Sequence, residues 1–182
     1  MASPIGHTLV GLGGFFLWSN KPISMADVRD HGWQAAVFVL LANLPDFDFV
    51  LSWIVTGDPN RYHHSGTHTL LFAACAGIIL GYSMRMTPSF ARSALIVGVA
   101  VGSHLAVDFM TGPLLGWHRS YGVTFLMPFS PERLTSPFTL FVGPRHNTWG
   151  DALSFHNWKW ALYEGVMLLP VLAWIVRRRS RS

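Results

Sequence analysis

Three aspartates, Asp46, Asp48 and Asp108, lie inside or at the edge of strongly apolar segments. A carboxylate taken out of water without a partner is costly, so each placement demands a compensating group. The chain also carries nine histidines in 182 residues, several of them in the same apolar stretches. Any fold of this chain must gather these groups or leave them uncompensated.

The rest of the composition narrows the setting. Half of the chain is hydrophobic (51%) and only 12% is charged, about half the roughly 25% of an average soluble domain. The length suits one domain over residues 1–182, with no separate linker and no internal repeat. Cys75 has no intrachain partner, which excludes a disulfide scaffold, and its apolar surroundings suggest a small core residue. The net charge of +4 comes largely from Arg177, Arg178, Arg179 and Arg181. A nucleic-acid footprint would spread basic residues over one face. A terminal cluster after an apolar run reads instead as a membrane flank, so the expected partner is the lipid bilayer and not nucleic acid.

Five apolar segments follow along the chain. Ser3 and Pro4 predict a helix start, as N-cap and first helical residue, with His7 in the first turn. Gly11, Gly13 and Gly14 permit close helix contact. Residues 33–54 read as one helix broken at Pro45. Thr67 is the expected N-cap of a helix over 68–84. Residues 93–110 form a fourth helix and 160–176 a fifth, while 20–32 is a polar connection. Residues 111–158, rich in Gly, Pro and aromatics, read as a long irregular region. By length the best membrane spans are 65–84, 93–112 and 159–176, with 3–18 and 33–54 weaker. The expected fold is an all-α, multi-pass membrane bundle of about four to five apolar helices. A soluble helical protein or an interfacial one is the alternative.

If all five segments cross, loops 19–32 and 85–92 share one side with the C-terminal tail. That side holds Lys21, Arg29, Arg85, Arg92 and the four tail arginines. The other holds Arg61, Arg119, Arg133, Arg145 and Lys159 over a longer stretch. The positive-inside rule then places the tail in the cytoplasm. Under the same topology His7, Asp46, Asp48, His63, His64, His68, His104 and Asp108 fall at one depth on the outer side. Segment 111–158 lies there too and can cover them.

Imidazoles with carboxylates suit a divalent metal, zinc by default, with manganese or iron as alternatives. His104 and Asp108, four residues apart, share one helix face. Three carboxylates and at least three imidazoles exceed the needs of one structural zinc, so one or two ions fit the set. His31, His146 and His156 read as loop or surface histidines, and His118 is unassigned. Arg61 and Tyr62 read as loop residues, and the tryptophans at segment ends as an interface belt or core.

These elements resemble the family of LexA-regulated, inner-membrane-associated proteins assigned as metal-dependent hydrolases. The resemblance rests on GHTLVGLGG (His7), LPDFD (Asp46, Asp48), HHSGTH (His63, Thr67, His68), HLAVDFMT (His104, Asp108, Thr111) and a later GVTFLMPFS, in that order. It implies a reaction class and no particular substrate. The family has Arg where this chain has His64, and Ser where it has Thr69, and the stretch from Thr111 to Gly122 is longer here. Either His64 or Arg61 takes the place of that Arg, or the substrate differs.

The expectation is a metal-activated water attacking a phosphoester or other ester at the membrane surface, the substrate being a small molecule or a lipid. His7, Asp46, His68, His104 and Asp108 are the expected ligands. Asp48 is a ligand or general base, and His63 a ligand or proton donor. A metal or proton transporter and a non-catalytic scaffold braced by metal are the rival classes. Carriers often carry internal repeats, which this chain lacks.

Overall fold

A computed structural model describes residues 1–19, 31–63, 66–146 and 149–179. Lys21, Arg29, His64 and Arg181 lie outside the described residues, as does most of the 20–32 connection. Helix α1 (Pro4–Trp18) begins as the sequence predicts, with Ser3 capping Gly6 N and Pro4 in the first turn. Helix α2 (Gly32–Asn43) passes through a 3₁₀ turn at Leu44–Asp46 into α3 (Phe47–Thr56). Pro45 thus deflects the helix without ending it, and Gly57 closes α3 in the left-handed conformation.

Helix α4 (Leu70–Met84) starts two residues later than expected. Thr69, not Thr67, is its N-cap, accepting from Phe72 N at 3.0 Å. Helix α5 (Phe90–Phe109) starts earlier, from Ser89 as N-cap. The 111–158 region holds a parallel pair, β1 (Thr111–Gly112) with β2 (Phe141–Val142), and a short helix α6 (Trp149–Ala152). Helix α7 (Phe155–Arg179) begins before the predicted 160.

Among the described residues, three stretches are long and apolar enough to cross a membrane: Gly32–Thr56, Phe90–Phe109 and Phe155–Arg179. The ranking of spans therefore changes. Residues 33–54 join the strong candidates, because the helix continues through Pro45. Residues 65–84 leave them, because 66–69 form a turn and bend and only 15 helical residues follow.

The helices run alternately. Helices α1 and α4 start, and α2 and α5 end, at the same end of the bundle. Helix α7 runs parallel to α1: Glu164 meets Ser3 at one end, and Arg179 donates to Leu17 O at the other. Trp18, Trp33, Arg85 and Met86 line one cavity at that second end. The core between α1, α2, α4 and α5 is built from Phe15, Phe38, Leu41, Val97 and Val101. Small residues set the spacing of the most intimate pair: a Cβ on Gly81 would sit 2.6 Å from Ala94 Cα, and one on Gly77 would sit 2.7 Å from Ala94 O. Gly11 does the same for α1 against Phe38 O, at 2.8 Å. The outward faces are apolar, with Ile79, Leu95, Val99 and Leu162 exposed. Cys75 is exposed as well and not a core residue. It lies on the outward face of α4, where a small apolar thiol is as compatible with lipid as with protein.

Candidate metal centre

The shared end of the four helices brings the polar residues together. The first turn of α1 supplies His7. The 3₁₀ turn supplies Asp46, and the first turn of α3 supplies Asp48. The loop before α4 supplies His63, Thr67 and His68, and the last turns of α5 supply His104 and Asp108. His7, His68 and His104 are fully buried, and Asp108 almost so.

Four atoms converge. His104 Nε2 lies 3.2 Å from His68 Nε2, 3.3 Å from Asp46 Oδ1 and 3.3 Å from Asp108 Oδ2. His68 Nε2 lies 3.4 Å from Asp46 Oδ1 and 3.6 Å from Asp108 Oδ2. These five donor–donor separations are 3.2–3.6 Å. Zinc bonded to nitrogen and oxygen at about 2.0–2.1 Å gives tetrahedral edges of about 3.3–3.4 Å.

The tautomers follow from the outer partners. His104 Nδ1 is 2.9 Å from Ala42 O, which only accepts, so Nδ1 carries the proton. Thr67 Oγ1 donates to Asp48 Oδ2 at 2.6 Å and therefore accepts from His68 Nδ1 at 3.1 Å. In the neutral rings both Nε2 atoms then present lone pairs to each other and to two carboxylate oxygens. Such an array is repulsive without a cation at its centre. Both oxygens of Asp46, Asp108 Oδ2 and both nitrogens of His7 are buried without a hydrogen-bond partner among the described residues. Orphaned buried atoms on this scale need a counter-group, and a divalent cation is one that fits.

The remaining members are arranged around this core. The His7 ring stacks on His104 at 3.8 Å, with Nε2 3.4 Å from Asp108 Oδ1. Asp108 Oδ1 also accepts from Ala2 N at 2.9 Å. Asp48 faces away from the four atoms. Its oxygens are engaged by His63 Nδ1 at 2.8 Å, by Thr67, and by His68 Nδ1 at 3.3 Å. Among the described residues, three donor groups could hold an ion: His7–Asp46–His104, Asp46–His63–His68 and His68–His104–Asp108. They overlap, so the cluster is one contiguous site with Asp46, His68 and His104 each shared.

Other histidines divide. His31 and His118 are exposed, and His156 packs on Trp160 beside β2. His146 departs from the expected surface role. Its ring centroid is 5.6 Å from that of His63, and its Nδ1 lies 2.6 Å from Asn60 Oδ1. Burial, and then the neighbouring His63, hold its pKa below the ordinary histidine value. No spacing in the sequence links His146 to residues 86 positions away; only the fold of the 111–154 region over the cluster does. Arg61 is exposed in its loop.

With this geometry in place, the comparison with known families is decisive at one level. The YdjM inner membrane protein family model matches residues 1–181. The chain belongs to that family. Membership and the three long apolar helices together make it a membrane protein. No curated protein and no solved structure matches the chain significantly.

Proposed function

We propose that this YdjM-family protein is a membrane-bound, metal-dependent hydrolase of ester or phosphoester bonds. The buried gathering of Asp46 Oδ1 and Asp108 Oδ2 around His68 Nε2 and His104 Nε2, at 3.2–3.6 Å, is the observation that carries this reading. These four residues hold the metal, zinc by donor set, with His7 as a further donor at the rim. Asp46, His63 and His68 form an alternative donor group beside it. When bound, the metal supplies a Lewis acid and an activated water whose pKa falls toward ~7.

The protein's own groups do the rest. Ala42 O holds His104, and Thr67 with Asp48 holds His68, in the tautomer that carries the proton on Nδ1 and leaves the Nε2 lone pair for a metal. Asp48 also orients His63 through Nδ1, and its Nε2, which lies 2.6 Å from Met1 Sδ, is the ring atom proposed for proton transfer. The oxygen of water bonds to phosphorus or to the acyl carbon as the His63 ring takes its proton, the ester bond breaks, and His63 gives that proton to the departing alcohol. The 111–154 region limits bulk water over the site.

A transporter would need polar groups through both halves of the bundle, and among the described helices these residues are gathered at one end. The proposal is tested with a hydrolysis screen over phosphodiesters, phospholipids and carboxylic esters. Activity lost to chelator, restored by zinc and absent in His104→Ala and Asp108→Ala is the expected result. Activity that survives both chelation and substitution contradicts the proposal.

A further inference from the structure

Two cavities adjoin the cluster, and their chemistry differs. The first, of 390 Å³, is a largely apolar crevice walled by Ile5, Phe49, Trp158 and Ala161, and it reaches Asp46. Ile5 of α1 and Trp158 of α7 are exposed, so the crevice opens on the surface of the bundle between α1 and α7. The second, of 460 Å³, is polar and is lined by Arg133, Arg145, His146, His156 and Tyr121. Met1, Pro144, Arg145 and His146 belong to both walls. Both volumes fall within the usual range for small-molecule sites.

The segment between them is held by its backbone. Asn157 Oδ1 accepts from Arg145 N at 2.7 Å, and Asn157 Nδ2 donates to Arg145 O at 2.8 Å. Asn60 Nδ2 donates to His146 O at 3.0 Å. Two asparagines from distant elements thus fix the chain at Arg145 and His146 while the guanidinium extends from it. Neither Arg133 nor Arg145 is in an ion pair with a described carboxylate. A planar guanidinium with five donors suits phosphate oxygens.

We infer that the substrate is a phosphorylated lipid, its phosphate held by Arg133 and Arg145 and its hydrocarbon tail lying in the Ile5–Phe49–Trp158 crevice. This deepens the proposed hydrolase and rests on it. A soluble phosphoester would leave the crevice unused, and a neutral lipid would leave the two guanidinium groups unpaired.

The test is binding, read separately from turnover. The full chain in detergent micelles is incubated with the phosphonate analogue of dioleoyl phosphatidic acid, which resists hydrolysis, and adducts are counted by native mass spectrometry. Dioleoylglycerol and glycerol 3-phosphate are the tail-only and headgroup-only probes. The expected result is a one-to-one phosphonate adduct, with each partial probe about tenfold weaker or more. R133Q/R145Q should lose the adduct by about tenfold, and Ile5→Trp, which fills the crevice without touching the charge, should lose it too. R177Q/R178Q/R179Q should retain it. The inference is overturned if R133Q/R145Q binds like wild type, if the tail variant alone loses the lipid, or if glycerol 3-phosphate binds as well as the phosphonate. Loss of chelator-sensitive turnover with the adduct intact would count against the hydrolase, not against this pocket.

Discussion

Asp48 accepts from His63, Thr67 and His68 at once, so its carboxylate sets the direction of two imidazoles. Asp48→Asn keeps the shape but offers one acceptor oxygen instead of two. Zinc affinity should then fall about 10–100-fold with stoichiometry unchanged. Thr67→Val should have a smaller effect in the same direction. Titration against a competing chelator measures both; affinity equal to wild type in Asp48→Asn would remove the orienting role. At this scale much was legible. The four-residue spacing of His104 and Asp108, and the Leu-Pro-Asp-x-Asp run, mark residues that no apolar helix would carry idly. The division of labour between Asp46 and Asp48 was not legible. It depends on the 3₁₀ turn, which aims two carboxylates two positions apart at different partners. Nor was the part of Thr67, because its release from capping follows from Thr69 taking that role.

Among the elements, α4 and α5 pack on small residues and α1 is held by α7. A methyl group on Gly81 would press on the backbone of Ala94. Gly81→Ala should therefore cost about 1–3 kcal/mol, read as a lower thermal midpoint in detergent. Glu164 accepts from both Ser3 N and Ser3 Oγ, and it is fully buried. Glu164→Leu leaves those donors unpaired at a cost of about 1–3 kcal/mol. Metal retention should fall as well, because the start of α1 carries His7 and the Ala2 N that meets Asp108. A Glu164→Leu protein with wild-type midpoint and metal content would show that this clamp is not needed. Ser3 and Pro4 announced the start of α1, since capping is local chemistry. The 3₁₀ passage at Pro45 was less visible: a proline in the first turn of a helix and one that breaks a helix look alike in sequence. Glu164 carried no signal, because its partner is 161 residues away.

For the whole molecule, one end gathers the buried histidines and aspartates, and the other gathers Trp18, Arg85 and the arginine tail. We propose that the basic end is cytoplasmic, as the positive-inside rule expects, which would put Leu153 on the outer side and the tail on the inner. In a Cys75→Ser background, Leu153→Cys should react with a membrane-impermeant maleimide in intact cells, and Ser182→Cys only after lysis. The opposite pattern would invert the proposed topology. The bundle was legible because charge is scarce and the apolar runs are long. The covering region was not, since its contacts are bridges such as Val123 with Leu134 and the Asn60–His146 pair, which leave no periodic trace. The claim that ties the scales together is that buried His and Asp from four helix ends are compensated by a metal. Metal analysis of the purified protein tests it most directly. Wild type should hold at least one zinc per chain, and His104→Ala and Asp108→Ala, folded and inserted, should hold far less; equal metal in all three, or none in wild type, would contradict the account.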